Sequence, residues 1–433
     1  MDVFEAVQAA RERHGVPGVA VGVSEEGVER HEAYGVTSLD SPLDVTPDTR
    51  FQVGSITKTF TGTVICELVA RGDLELDRPV REYLPDLVLA DADATERVTL
   101  RHLLSHTGGW FGDYFDDTGW GDDAISIYVE RMRELPQQTP VGSLWAYNNS
   151  GFALAGRVIE LVTGKCYEDA VKELVFDPLE LESTTFWPWE VMTERFVLGH
   201  VGLGEERQVA RPWPVGRSAH PAGGIVSTTP DLLRYARLHL APPTALAPMQ
   251  EPQAPAAEEG EWVGLTWYGE DRFATLRHGG GTNGQIAMLV LAPARSFALA
   301  VLTNHSPGGV QVVDAALQAV GLAAGEPPAI AAAPLAEYSG VFETALERLT
   351  LTPLNGARMR LEGESRGGFP TKDSPPGPQP PPAEVFFYST DRWIVESGPW
   401  KGVRGHFIVD DDGAVRWLRV GGRLYESSAR SRT

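Results

Sequence analysis

Patterns typical of buried strands stand at two widely separated places in this 433-residue chain. They lie at 16–23 and 31–36, and again at 264–267, 273–276, 286–291 and 297–303, with helical patterns between the two groups. Short runs rich in apolar, β-branched and aromatic residues favour strands that are buried in a sheet. Because the two groups lie so far apart in the chain, we predict a mixed α/β core whose sheet is assembled from distant segments.

A second domain is predicted in the C-terminal part of the chain. The chain is longer than a single core usually supports, and residues 325–334 are rich in proline and alanine, as in a linker. Residues 335–433 contain roughly eight short β-rich runs separated by turn sequences, a pattern that predicts an antiparallel barrel. We therefore expect a first domain at 1–324, a linker at 325–334 and a barrel at 335–433.

Charge and hydropathy exclude some classes of partner. The chain has 37 basic and 59 acidic residues and a net charge of -22, which opposes binding to nucleic acid and to anionic membranes. No apolar run reaches the roughly 18 residues of a membrane-spanning helix. The first residues lack the basic and apolar regions of a secretory signal, so a cytoplasmic location is expected.

Ser55 and Lys58 are the leading candidates for chemistry. Residues 55–71 show a helical pattern that Gly72 ends, so the two side chains lie one turn apart on the same face. Serine needs a base beside it, and a lysine whose pKa is lowered can serve. Backbone N–H groups of the first helical turn are available to a developing oxyanion. Both residues are common, so an isolated S-x-x-K match is weak.

Two further stretches strengthen this candidate. Residues 145–151 are polar and turn-forming, and they place the phenol of Tyr147 two residues before the amide of Asn149. Residues 276–282 contain His278 followed by three glycines, which allow a substrate to approach a strand edge closely.

Together, Ser55-x-x-Lys58, Tyr147-x-Asn149 and His278-x-Gly280 resemble the three-motif signature of the serine β-lactamase and penicillin-binding-protein superfamily. The Y-x-N form is similar to the branch with class C β-lactamases, D-aminopeptidases and related esterases. Residues 100–109 and 222–228 are also similar to segments of that family. The resemblance runs from about residue 16 to about residue 320, and the C-terminal region resembles the lipocalin-like domain of several members. It implies an α+β fold, with an antiparallel sheet flanked by helices and then an antiparallel β-barrel.

The resemblance also implies roles for the motif residues. Ser55 would attack an acyl carbonyl, and Lys58 and Tyr147 would share the proton transfers, either of them being the base. The backbone N–H groups of Ser55 and Gly281 would form the oxyanion hole. Asn149 would hold the substrate amide and Lys58, and substrate would also contact His278 and Gly280. No cofactor or metal is implied.

His278 departs from the β-lactamase pattern, which has a lysine at this position. A histidine is mostly neutral at pH 7, so it suits the carboxylate of a β-lactam or of a C-terminal D-alanine less well than a fixed cation does. The H-x-G form resembles the D-aminopeptidase group and some peptide-cyclising thioesterases of non-ribosomal synthesis. The alternative interpretation is a structural histidine at a strand end.

Residues 110–123 combine aromatic residues and aspartates and contain no basic residue. In the resembled fold this region borders the active site, so Trp110, Asp116 and Asp117 are candidate contacts for a substrate with an amine and an apolar group. Alternatively, the loop is solvated and acidic, and its aromatic side chains pack inward.

His102 and His106 are four residues apart on a predicted helix and could in principle bind a metal. No H-E-x-x-H motif accompanies them, so structural roles are favoured.

The leading hypothesis is a serine hydrolase that acts through an acyl-enzyme on small amides, D-amino-acid-containing peptides or esters. The expected partner is a small-molecule or short-peptide substrate. One alternative is a peptide cyclase or acyl transferase of the penicillin-binding-protein-type thioesterase group, with the same nucleophile and a different product. Another is a weak class C-like β-lactamase.

Overall fold

The computed structural model describes residues 2–377, 379–398, 400–410 and 412–428. The chain divides into two units, Met1–Gly112 with Asp116–Ala323, and Asp113–Phe115 with Ala324–Thr433.

The first unit is built from helices and strands. Its α-helices are α1 (Val3–Arg13), α2 (Thr57–Arg71), α3 (Ala92–Arg97), α4 (Leu100–Leu104), α5 (Ala124–Arg131), α6 (Ser150–Thr163), α7 (Tyr167–Val171), α8 (Pro188–Val191), α9 (His220–Gly223), α10 (Thr229–Leu240) and α11 (Ser306–Ala319). Its strands are β1 (Gly18–Glu25), β2 (Val28–Gly35), β3 (Phe51–Gln52), β4 (His200–Val201), β5 (Gln208–Val209), β6 (Val226–Ser227), β7 (Ala254–Pro255), β8 (Glu261–Val263), β9 (Tyr268–Glu270), β10 (Thr275–Thr282), β11 (Gln285–Ala292) and β12 (Phe297–Thr303).

One antiparallel sheet joins the two ends of this unit. Its strand order is β2-β1-β12-β11-β10-β9-β8-β7, and β1 pairs with β12 from Val19 opposite Thr303 to Glu25 opposite Phe297. The prediction that distant segments form one sheet is therefore confirmed. The other strands form two short pairs, β3 with β6 and β4 with β5.

Helices cover both faces of the sheet. Side chains of α1 and α11, such as Phe4 and Val312, share a buried cluster with Val21 and Leu299 of the sheet. On the other face, a Cβ added at Gly22 would lie 3.1 Å from Leu233 Cδ1 of α10. Burying a valine or leucine side chain contributes about 1.5–3 kcal/mol, so the two helical layers explain why β12 is buried along its whole length.

The strand prediction for residues 264–267 is wrong. Gly264 N–H donates to Trp267 O at 2.8 Å, and Thr266 has a φ of 85°, so this segment is the turn between β8 and β9. Leu265 and Trp267 are fully buried there. The apolar run reflects burial beneath a turn, which periodicity cannot separate from a buried strand.

The second unit is a closed antiparallel barrel. Its strands are β13 (Gly340–Glu343), β14 (Glu347–Pro353), β15 (Arg358–Ser365), β16 (Ala383–Phe387), β17 (Arg392–Val395), β18 (Arg404–Val409), β19 (Val415–Val420) and β20 (Arg423–Ser427). Pairing of β13 with β20 closes the ring. The interior is filled by side chains rather than open, since Tyr338 stacks on Phe407 with ring centroids 4.2 Å apart and Trp393 is fully buried. The predicted α+β fold with a C-terminal barrel is confirmed.

Candidate active site

Ser55 lies where the chain passes from β3 into α2. Residues Gly54–Ile56 form a 3₁₀ turn that leads directly into the helix, so the predicted helix begins with a tighter turn than expected. Gly54 has a φ of 52°, a conformation that glycine adopts without strain. A Cβ on Gly54 would lie 2.7 Å from Gly281 N. The glycine thus lets the segment that carries Ser55 approach β10 closely.

Lys58 directs its amine at the Ser55 hydroxyl. The side chain is fully buried, and Nζ lies 3.1 Å from Ser55 Oγ, 2.7 Å from Asn149 Oδ1 and 2.6 Å from Ala222 O. These three oxygens all lie within hydrogen-bond distance of the amine. Burial of such a group without partners would be costly, so the arrangement holds the amine in one place.

Tyr147 and Asn149 reach the same amine from a loop. The Tyr147 ring centroid lies 4.9 Å from Lys58 Nζ, and the ring of Phe152 lies 5.2 Å from it on the following helix, α6. Asn149 immediately precedes α6. The structure therefore brings together Ser55, Lys58, Tyr147 and Asn149, which the sequence predicted as members of one site.

The third motif forms a strand edge beside Ser55. β10 pairs with β11 from Leu276 to Thr282, whereas β9 pairs only with Thr275–Arg277. Within the described residues, the second edge of β10 therefore has no strand partner from His278 onward. A Cβ on Gly280 would lie 1.9 Å from Val53 O and 3.0 Å from Ser55 N. Only a glycine at this position permits that approach.

His278 lies on this strand as a buried, neutral ring. It lies on the same face of β10 as Gly280, since strand side chains alternate, and its Nδ1 is 2.7 Å from Gly279 O. A carbonyl only accepts, so Nδ1 carries the proton and Nε2 carries a lone pair. Nε2 is buried and has no hydrogen-bond partner among the described residues. Burial, and then the charge of Lys58, lower the pKa of His278 to about 3.

The candidate contacts in residues 110–123 do not gather at an open mouth. Trp110 is only 3% exposed, and its indole N–H donates to Ser150 Oγ at 2.9 Å, which places it beneath the Tyr147 loop. Asp116 is buried against Arg131, a basic residue that lies outside residues 110–123. Asp117 is exposed and accepts the Gly119 N–H at 3.0 Å.

Two contributors to the site were missed from sequence. The Ala222 carbonyl is a backbone atom, and only the similarity of residues 222–228 to the family pointed toward it. The sequence predicts a helix at His106, but α4 ends at Leu104. His106 has a φ of 58° and stacks on Tyr147. It therefore does not share a helical face with His102.

In the described part of the chain, histidine, cysteine and carboxylate side chains form no group of three or more that could hold a metal ion. None of the helices found there has both the length and the apolar character needed to cross a membrane.

Comparison with known proteins relates this chain to a family. Residues 3–323 match the family model described as Beta-lactamase. Penicillin-binding protein 4 of Amycolatopsis lactamdurans is 34% identical over 325 residues, which are 71% of this chain and 84% of that protein.

Solved structures share the architecture. SurE, in a crystal structure with D-Leu, aligns over 98% of both chains with a TM-score of 0.73 and 25% identity. A class C β-lactamase from Rhodobacter sphaeroides aligns over 73% of this chain and 99% of its own, with a TM-score of 0.62 and 24% identity, and it supports the fold alone. From the family match and the relative of 34% identity, we conclude that this chain belongs to the serine β-lactamase and penicillin-binding-protein family and is an enzyme of the serine hydrolase type.

Proposed function

We propose that the protein forms an acyl-enzyme on Ser55 and hydrolyses small amides, esters or peptides that contain D-amino acids. The observation that carries the proposal is the 3.1 Å distance between Lys58 Nζ and Ser55 Oγ, which is within hydrogen-bond reach, in a site where the amine is fully buried. A nucleophile within hydrogen-bond reach of a basic group is the geometry that covalent acyl transfer requires.

In the proposed reaction, Ser55 Oγ attacks the substrate carbonyl while its proton passes to Lys58 or Tyr147. The oxyanion that forms accepts hydrogen bonds from the backbone N–H groups of Ser55 and Gly281. The intermediate then collapses, and the leaving amine or alcohol takes up the proton. Water attacks the acyl-enzyme in the second half, releasing a carboxylic acid and restoring the Ser55 hydroxyl.

His278 supports the choice of substrate class. Its ring is buried and neutral, so this position offers no fixed cation to a substrate carboxylate and favours substrates that lack one. An ester or amide of a D-amino acid with a free amine is such a substrate. The crystal structure of SurE with D-Leu, which aligns over 98% of this chain, supports D-amino-acid recognition. The same argument disfavours β-lactams, which carry a carboxylate.

The test is acylation of the whole protein, detected by intact mass with D-leucine p-nitrophenyl ester, its L counterpart, an N-acetylated D counterpart and benzylpenicillin. We expect fastest acylation by the D ester with a free amine, and no adduct with Ser55→Ala. A Ser55→Ala protein that hydrolysed the ester at the wild-type rate would rule out the proposal. Products that are cyclic or aminolysed, rather than hydrolysed, would instead assign acyl transfer from the same intermediate.

A further inference from the structure

His106 contacts three successive residues of the loop that carries Tyr147. Its carbonyl accepts the Ala146 N–H at 2.9 Å, and its Nδ1 accepts the Asn148 N–H at 3.0 Å. Its ring stacks on Tyr147, with centroids 4.6 Å apart and planes inclined by 26°. His106 therefore supports the phenol through its ring and Nδ1 on one hand and through its backbone carbonyl on the other.

The loop needs such support because residues 145–148 lie outside helices and strands. The Tyr147 ring contacts both the ring of His106 and the amine of Lys58, whose Nζ is 4.9 Å from the ring centroid. The position of the phenol relative to the amine is thus set by contacts from other segments rather than by regular backbone structure.

The backbone of His106 is itself unusual. With a φ of 58° it occupies the left-handed region, which costs a residue other than glycine roughly 1–2 kcal/mol. This conformation follows the end of α4 at Leu104, and His106 is only 1% exposed. Strained residues that the surrounding structure holds in place concentrate at functional sites.

The hydrogen bond from Asn148 also defines the tautomer. A backbone N–H can only donate, so Nδ1 of His106 carries a lone pair, and the neutral ring carries its proton on Nε2. His106 therefore contributes a hydrogen-bond acceptor at Nδ1 and a stacking surface on its ring. Substitutions can remove one of these contributions and keep the other.

We infer that His106 is a positioning residue for acyl transfer, which holds Tyr147 in register with Lys58 and Ser55. The inference rests on the proposed function, in which Tyr147 shares the proton transfers. A displacement of about 1 Å in a reacting group can lower a rate about a hundredfold. The contacts of His106 with the Tyr147 loop therefore affect the acylation rate more than substrate affinity.

Three substitutions separate the contributions of His106. His106→Asn keeps an acceptor at the position of Nδ1 and tolerates the left-handed backbone, but it removes the ring. His106→Phe keeps a ring and removes the acceptor, and His106→Ala removes both. We expect acylation of the full-length protein by D-leucine p-nitrophenyl ester to fall about a hundredfold in His106→Ala, with KM changed less than about threefold. We expect His106→Asn to recover at least about tenfold of that loss.

His102 provides the matched control. It lies in the same segment, and its Nδ1 bonds to Thr99 at the start of α4 rather than to the Tyr147 loop. His102→Ala should lower the melting temperature and leave the acylation rate of the folded protein unchanged.

The decisive measurement combines His106→Ala with Tyr147→Phe. If His106 acts through Tyr147, the alanine substitution causes little further loss of rate in the Tyr147→Phe background, because coupled residues are not additive. An equal loss of acylation rate on adding His106→Ala to the wild type and to Tyr147→Phe would overturn the inference. So would equal losses of rate in His106→Ala and His106→Asn that are explained by their folded fractions, because this would show a purely structural role.

The same series distinguishes failure of the inference from failure of the proposed function. Wild-type acylation by Tyr147→Phe would refute the role of Tyr147 and remove the basis of the inference. Slow acylation by Tyr147→Phe, together with a wild-type rate in folded His106→Ala, would overturn the inference alone.

Discussion

The Nζ atom of Lys58 and the Oδ1 atom of Asn149 lie 2.7 Å apart, although the two residues are separated by 91 positions in the chain. Lys58 belongs to the first turn of α2, and Asn149 immediately precedes α6. The contact therefore depends on how the starts of two helices meet. It fixes the amine that the proposed mechanism needs beside Ser55.

Replacing Asn149 should weaken acylation without unfolding the protein. Asn149→Leu removes the acceptor, leaves the Lys58 amine with one partner fewer, and should lower the acylation rate by roughly tenfold to a hundredfold. Asn149→Asp places a full negative charge at this point, which favours the charged amine and should slow acylation further at pH 7. Single-turnover ester hydrolysis measures both. Wild-type rates in Asn149→Leu would exclude a role for the contact.

His278→Lys should shift the substrate preference toward carboxylates. A fixed cation attracts the carboxylate of benzylpenicillin, so acylation by this compound relative to a neutral ester should rise about tenfold or more. A second buried amine near Lys58 should also lower the melting temperature. His278→Gln, which stays neutral and keeps an acceptor, is the control and should retain the original preference. An unchanged ratio in His278→Lys would mean that this position does not select the substrate.

Gly280→Ala should separate the edge of β10 from Ser55. The new Cβ would lie 1.9 Å from Val53 O, which no real structure tolerates, so the strand or the Ser55 turn must move. Acylation should fall at least about a hundredfold. At Gly279 the nearest atom to an added Cβ is the flexible Met288 Cε at 3.3 Å, so Gly279→Ala should be much milder. Equal effects of the two substitutions would contradict the close approach seen at Gly280.

Neutralising Asp116 and Asp117 should affect stability at one position only. Asp116 is buried against Arg131. Asp116→Asn removes the charge that pairs with Arg131 and should lower the free energy of unfolding by about 1–3 kcal/mol. Asp117 is exposed, and Asp117→Asn should change stability by less than about 0.5 kcal/mol. Urea unfolding measures both. A change in the preference for free-amine over N-acetylated substrates in either variant would revive these residues as substrate contacts.

Stability should fall in mild acid because of two buried histidines. Burial lowers the pKa of His239 to about 3, and burial with the charge of Lys58 does the same for His278. The unfolded chain takes up protons near pH 6.5, whereas the folded state does not. Stability from each histidine is therefore complete above that pH and declines by about 1.4 kcal/mol per unit as pH falls toward 3.

Tryptophan fluorescence during urea unfolding at several pH values reports this decline, since Trp267 lies against His239 with ring centroids 5.2 Å apart. His239→Gln should reduce the slope of the free energy of unfolding against pH by the amount that corresponds to one proton, about 1.4 kcal/mol per pH unit. An unaltered slope in that variant would show that His239 is not the titrating group.

Much of the fold was predictable because burial leaves a local trace. The strands at 286–291 and 297–303 and the barrel strands appear as apolar or alternating runs, and the structure confirms them. The run at 264–267 failed because Leu265 and Trp267 are buried under a turn. Apolar side chains report burial in both cases, and the hydrogen-bond partner of the backbone decides which structure forms.

The candidate site also has some features that local sequence predicts and others that depend on tertiary contacts. The sequence by itself determined that Ser55 and Lys58 share one face at the start of a helix, because the helical repeat sets that spacing. It also supplied the glycine at position 280, the residue type that a close backbone approach requires. The contact of Asn149 with the Lys58 amine was implied by the family resemblance alone. Only the tertiary structure decided that the Ala222 carbonyl reaches the same amine and that Asp116 pairs with Arg131. These contacts join segments far apart in the chain, so they depend on packing between helices and sheet, which no local pattern encodes.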